Sequence, residues 1–212
     1  MHDIRVDVFD DPACPWCLLG LKRLDNAIDA LGNDIRVDII HHPFLLDPEA
    51  SEQGEDIVEV LTRKYGQPPF EAWDRIEAEA KKSGLDLDMR KQTMRYWSQP
   101  ALTLIAAAAD KGTQHAVAVA LGRAYYLDAR NISDLDVLAE IAAEHGFSPE
   151  EARAIAGDRS LYPAIAEAAQ WASGQGITGV PFFVFAGKFA FSGAQPQEVF
   201  AEAFERALRE AA

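Results

Sequence analysis

Cys14 and Cys17 are the only cysteines in this 212-residue chain, spaced as Cys14-Pro15-Trp16-Cys17 where a short strand gives way to a helix. A thiol at a helix start faces unpaired backbone N–H groups and the positive end of the helix dipole, and both favour its thiolate, the nucleophilic form. The second thiol lies one turn further on, within reach of a disulfide. This arrangement suits thiol-disulfide exchange: Cys14 attacks a substrate disulfide to give a mixed disulfide, and Cys17 resolves it. The reverse sequence oxidises a substrate dithiol. Between them Pro15 removes one N–H near Cys14, and Trp16 adds apolar surface for substrate. Two plainer readings stand beside this one. A structural zinc needs four ligands, and without a second Cys pair His41 and His42 would have to complete it. An inert buried pair is the other.

The surrounding elements favour redox chemistry. Ile4, Val6 and Val8 alternate with charged residues, as in a strand, and Asp10-Asp11-Pro12 then makes a turn whose two carboxylates read as solvated. Next comes a helix with Pro15 in its first turn, an apolar face of Cys17, Leu21, Leu24, Ile28 and Leu31, and a close at Gly32-Asn33. Gly20 within it costs roughly 1 kcal/mol against alanine unless close packing against the sheet offsets it. Ile35, Val37 and Ile39 mark a second strand, completing a βαβ unit, the setting in which a CxxC reads as a thioredoxin-like redox motif.

From about Gly54 the pattern is helices only. Ile57, Val58 and Leu61 mark one; Phe70, Trp73, Ile76 and Ala80 another; Pro100 to Lys111 is apolar nearly all round and reads as the buried central helix. Val117, Leu121 and Tyr125 follow, then a helix capped by Ser133, one opened by the capping box Ser148-Pro149-Glu150-Glu151, and one carrying Ile165, Ala169 and Trp171. Beta character returns at Phe182 to Phe185 and Phe189 to Phe191, around a turn at Ala186-Gly187-Lys188, before a last helix from Pro196. The expected fold is α/β: a thioredoxin fold (βαβ–ββα) from residues 1–50 and 176–212, carrying an all-helical insertion at 51–175.

In Thr178-Gly179-Val180-Pro181-Phe182-Phe183 a proline opens what otherwise reads as a strand, although proline donates no ladder hydrogen bond. It is either an edge-strand start with a trans bond, or a cis Val180–Pro181 bond set against the cysteine pair, with the Val180 backbone free to pair with an extended substrate.

Cys14-Pro15-Trp16-Cys17, His42-Pro43-Phe44-Leu45-Leu46-Asp47-Pro48, Ala124-Tyr125-Tyr126, Asn131-Ile132-Ser133-Asp134, Gly179-Val180-Pro181-Phe182-Phe183 and Ser192-Gly193-Ala194-Gln195-Pro196 together resemble the FrnE-type branch of the DsbA family. The resemblance covers nearly the whole chain and implies a thioredoxin-fold thiol-disulfide oxidoreductase. By it Cys14 is the attacking thiol, Cys17 the resolving thiol and Pro181 a cis-proline preceded by Val180, with Pro15 and Trp16 facing substrate. It implies no cofactor beyond the cysteine pair, glutathione as a candidate co-substrate, and protein or small-molecule thiols and disulfides as partners. Related glutathione-dependent isomerases of the 2-hydroxychromene-2-carboxylate type and kappa-class transferases typically present serine where this chain has Cys14, which weighs against that alternative. A redox-inactive binding or chaperone-like module, using a groove by Trp16 and Trp97, would not need both cysteines. Two segments depart from the family: His41-His42-Pro43-Phe44 stands where relatives often show Trp-Arg-Pro-Phe, and Pro100-Ala101-Leu102 where they show Asp-Ala-His. Substrate specificity therefore does not carry over. His42 reads as a satisfied strand-end histidine, with a proton shuttle as the sharper alternative.

The formal charge of −14 argues against a nucleic-acid surface, which needs basic patches. The amino terminus lacks a signal-peptide pattern and no apolar run is long enough to span a bilayer, so the expectation is a soluble cytoplasmic protein. An apolar face on the insertion could support a homodimer.

Overall fold

The computed structural model describes residues 2–32 and 34–211. Strand β1 (His2–Asp10) pairs in parallel with β2 (Ile35–Pro43) across the crossover helix α1 (Pro15–Asp29). On its other side β1 pairs antiparallel with β5 (Phe182–Phe185), which pairs with β6 (Phe189–Ser192), so the sheet order is β2-β1-β5-β6. Alternation sends Ile4, Val6 and Val8 to one face, where Phe183 and Phe185 join them beneath α1 and the last helix, α9 (Gln197–Ala211). Phe200 and Phe204 of α9 meet Phe183 and Phe185 edge-on at 5.0 and 5.1 Å.

Between β2 and β5 run seven helices among the described residues: α2 (Ile57–Tyr65), α3 (Phe70–Lys82), α4 (Gln99–Ala107), α5 (Gln114–Tyr126), α6 (Leu135–Ala143), α7 (Pro149–Gly157) and α8 (Tyr162–Gly174). The stretch is not helical throughout. Two-residue strands β3 (Glu55–Asp56) and β4 (Met94–Arg95) pair antiparallel, too short for any periodicity to show in sequence. The apolar run from Pro100 is buried as expected, but α4 gives way to a 3-10 turn at Ala108–Lys111. Ser148 does close a capping box with Glu151. The cap of α6, in contrast, is Asp134 and not Ser133: the Asp134 carboxylate accepts the Asp136 and Val137 N–H groups, while Ser133 folds back onto Asn131. Phe70 and Trp171, placed on apolar faces by spacing, are exposed. Helix α1 ends at Asp29; Asn33, read as part of its stop signal, lies outside the described residues.

Helix α1 is buried on two sides. Leu18 and Leu19 pack into the core of the inserted helices, whereas Leu21, Leu24 and Ala27 pack under the sheet. Arg23 lies between these contacts, 4 % exposed. Its guanidinium donates to Ser83 Oγ at 2.9 Å and Glu79 Oε2 at 2.7 Å by α3, and to the Ala194 carbonyl at 2.6 Å before α9. One side chain thus ties the start of the inserted helices to the carboxyl-terminal unit.

Candidate active site

The sheet register places the site. Phe9, near the end of β1, lies opposite Phe182 at the start of β5, so the turn leaving β1 and the residues entering β5 meet at the same end of the sheet. That turn delivers Cys14 as the N-cap of α1, with Pro15 as the first helical residue. The Cys14 N–H donates to the Asp11 carbonyl at 2.9 Å, and the Cys14 carbonyl accepts the N–H of Cys17 at 3.0 Å. The two cysteines approach to 3.4 Å and are unbonded.

From the segment entering β5, Val180 presents its carbonyl 3.7 Å from the Cys14 thiol, which donates to it. The Val180–Pro181 bond is cis, and the Pro181 ring is buried against α1. That contact explains Gly20. A Cβ at this position would lie 2.8 Å from Pro181 Cγ and 3.1 Å from Phe183 Cζ, so any side chain would force this close packing of α1 on Pro181 to shift. Trp16 is half-buried beside Cys17, with the Arg75 guanidinium of α3 5.8 Å from its ring centre.

The carboxylates of the turn are buried, contrary to their reading as solvated residues. Asp10 is 2 % exposed and Asp11 1 %. Asp11 is a three-way tie: Oδ1 accepts the Ala13 N–H at 2.8 Å, while Oδ2 accepts the Leu46 N–H and the Ser98 hydroxyl, each at 3.0 Å. It fastens the Cys14 turn to the loop after β2 and to the start of α4. From the other side the Tyr126 hydroxyl donates to the Ala13 carbonyl at 2.6 Å. Asp-Asp-Pro is a local turn signal, and nothing local reveals that Leu46 and Ser98 will supply donors. Tyr126 lay within a stretch carrying the family resemblance, but its bond to the turn has no sequence signal.

Burial pushes the Asp11 carboxyl up to about 6, against the pull of its three donors. Because this exceeds its ordinary value of 3.8, the folded state holds the proton through a range in which the unfolded chain has released it. Stability must then fall as pH rises from about 4 to about 6, by ~3 kcal/mol for a shift of about two units. Urea denaturation of wild type and Asp11→Asn across this range checks it: the gap between the two should change with that slope, and a constant gap would refute it.

The Cys17 thiol is pushed well up by burial first, then by its contact with Cys14 and by the charge of Asp10. It therefore rests as a thiol. His41 and His42 lie on opposite faces of β2. His42 stacks on Phe9 at 4.6 Å and meets Asp7 Oδ1 at 2.7 Å, a satisfied strand-end position. His41 is buried, with its ring on Asp10 and His115. Trp97 packs edge-on against Tyr162.

No helix among the described residues is long and apolar enough to cross a membrane. The DSBA-like thioredoxin domain family matches residues 5–205. The crystal structure of a probable DsbA oxidoreductase from Streptomyces coelicolor is 32 % identical and superposes with a TM-score of 0.86 over 99 % of this chain and 92 % of its own. An uncharacterised Bacillus subtilis protein, YwbO, is 25 % identical over 94 % of this chain and 95 % of its own. The cytosolic disulfide reductase DsbM of Pseudomonas aeruginosa, solved with GSH, is 20 % identical with a TM-score of 0.68 over 97 % and 99 %, and shares the fold.

Proposed function

The chain belongs to the DSBA-like thioredoxin domain family, and on that premise we propose that it is a thiol-disulfide oxidoreductase cycling Cys14 and Cys17 between dithiol and disulfide. The observation that carries the reading is the meeting of two elements. An unbonded, buried cysteine pair opens α1, and the Val180 carbonyl ahead of Pro181 touches the Cys14 thiol.

In the reducing direction Cys14 sulfur attacks one sulfur of a substrate disulfide. The substrate S–S bond breaks, a Cys14–substrate disulfide forms, and the other substrate sulfur leaves as thiolate. Cys17 then loses its proton and attacks Cys14 sulfur. The second substrate thiolate departs and the internal disulfide closes. An extended substrate segment can pair with the backbone of Val180, which lies ahead of β5 and outside the sheet ladder. Trp16 offers it an apolar surface, and Arg75 stands beside it as a cation for a carboxylate.

Glutathione is the co-substrate to test, being a small thiol with two carboxylates. Equilibration with glutathione buffers, followed by alkylation and mass measurement, should yield a linked Cys14–Cys17 pair whose fraction follows the ratio of oxidised to reduced glutathione. Recovery of two alkylated thiols at every ratio would defeat the proposal.

A further inference from the structure

The peptide unit that enters Cys14 is held at both of its polar ends. Its N–H donates to the Asp11 carbonyl at 2.9 Å, and its carbonyl, that of Ala13, accepts the Tyr126 hydroxyl at 2.6 Å. On the far side of the residue, the Cys14 carbonyl accepts the N–H groups of Cys17 and Leu18 at 3.0 and 3.3 Å. Three of these four contacts are local to the turn and the start of α1. The contact from Tyr126 comes from α5, 113 residues along the chain, so only tertiary folding can supply it.

We propose that Tyr126 is a positioning residue for the nucleophile: its hydroxyl fixes the Ala13–Cys14 peptide plane and thereby aims the Cys14 sulfur at the disulfide of a substrate laid along Val180. The inference rests on the redox reading of Cys14 and Cys17.

The link from hydroxyl to sulfur is geometric. Cys14 has φ −104° and ψ 115°, and rotating the peptide plane that precedes it changes φ and swings the side chain. With that plane held, the sulfur keeps only its own side-chain rotation, and the thiol rests 3.7 Å from the Val180 carbonyl. Exchange is sensitive to this placement, because the attacking sulfur must lie in line with the S–S bond it breaks. A misplacement of about 1 Å at a reacting atom costs on the order of 10²-fold in rate.

Helix α5 is shaped to deliver the hydroxyl. Gly122 and Tyr126, four residues apart, share one face of it. A Cβ at Gly122 would lie 3.3 Å from Leu18 Cδ1, so glycine lets α5 lie close on α1, and Tyr126, one turn on, reaches the segment ahead of α1. The Tyr126 side chain is 1 % exposed and its ring packs edge-on against Tyr125 at 4.6 Å, which leaves the hydroxyl little freedom. Burial pushes the phenol well up, and the charges of Tyr125 and Cys14 add to this, so it remains a donor wherever Cys14 acts as a nucleophile. Asp11, the other tie on this turn, instead titrates at about 6.

The test reads two reactions of Cys14 in full-length protein carrying Cys17→Ser, in which the adduct formed with glutathione disulfide is not resolved internally. In exchange, the Cys14 thiolate attacks one sulfur of glutathione disulfide, the S–S bond breaks, and a glutathione thiolate leaves. Alkylation by iodoacetamide needs the same thiolate but no alignment with a disulfide. Tyr126→Phe removes one oxygen and keeps the packed ring. It should slow exchange about 10-fold, equivalent to ~1.4 kcal/mol, and leave alkylation unchanged. Tyr125→Phe is the control for loss of a buried hydroxyl as such, because its hydroxyl donates to the Met94 carbonyl of β4 and not to the turn. Both of its rates should match those of the parent. Parent exchange rates in Tyr126→Phe, equal slowing of exchange and alkylation, or equal slowing of exchange in Tyr125→Phe would overturn the positioning role while leaving the redox reading intact. Failure of the parent to form a glutathione adduct on Cys14 would overturn both.

Discussion

Cys14→Ser is expected to lower the rate of exchange with glutathione disulfide by about 10⁴-fold or more, the scale of loss when a covalent nucleophile is removed. The fold should survive, because serine is close to cysteine in size and the backbone bonds of residue 14 to Asp11, Cys17 and Leu18 do not involve the side chain. Cys17→Ser should behave differently. Cys14 still attacks, but the mixed disulfide has no internal thiol to displace it, so the variant should accumulate a single glutathione adduct at Cys14. The asymmetry is the decisive result. Equal reactivity of the two single variants toward glutathione disulfide would mean that neither cysteine is specialised and would remove the basis for assigning attack to Cys14. The geometry requires a difference, since Cys14 is the N-cap facing Val180 whereas Cys17 lies a turn inside the helix, its thiol form favoured by burial.

Arg23→Met is expected to cost ~3 kcal/mol of stability, the lower end of the range for breaking a buried ion pair. Methionine keeps an apolar stem, so the loss comes from polar groups. Ser83, Glu79 and the Ala194 carbonyl lose their common donor, and their segments lose the side chain that joins them. Glu79 is 32 % exposed and can turn to water, which limits the penalty and makes Glu79→Gln the milder substitution. A urea midpoint for Arg23→Met close to wild type would show that packing of α1 suffices without the polar tie. The variant should retain disulfide exchange below its midpoint, because Arg23 touches neither cysteine nor Pro181.

Much of this was legible in the chain. Alternation in Ile4, Val6 and Val8 and in Ile35, Val37 and Ile39, with a helix between them, is enough to set Cys14 at the end of the first strand. A proline opening the Phe182 strand signals something other than an ordinary ladder. Gly20 was readable as a close-approach glycine, though not that Pro181 is what approaches. What escaped sequence reading shares one physical property: its meaning depends on residues far away. Asp10 and Asp11 resemble turn carboxylates until Leu46, Ser98 and His41 arrive. Arg23 follows the charged rhythm of α1 and looks solvated until α3 and the segment before α9 close over it. His115 is an ordinary polar residue near a helix start until α5 is laid against β2. The β3 and β4 pair is too short to carry a pattern at all, and Ser133 lost the cap of α6 to Asp134, whose carboxylate is the one aimed at the free N–H groups.

The side-chain amide of Gln114 accepts the His41 N–H at 3.0 Å and donates to the His41 carbonyl at 3.1 Å, which bears on self-association. β2 is an edge of the four-stranded sheet, and an exposed edge invites another chain to add a strand. At His41 both outward main-chain groups are already engaged by a side-chain amide that imitates the peptide group of a neighbouring strand. The Gln114 contact therefore blunts this edge against aggregation.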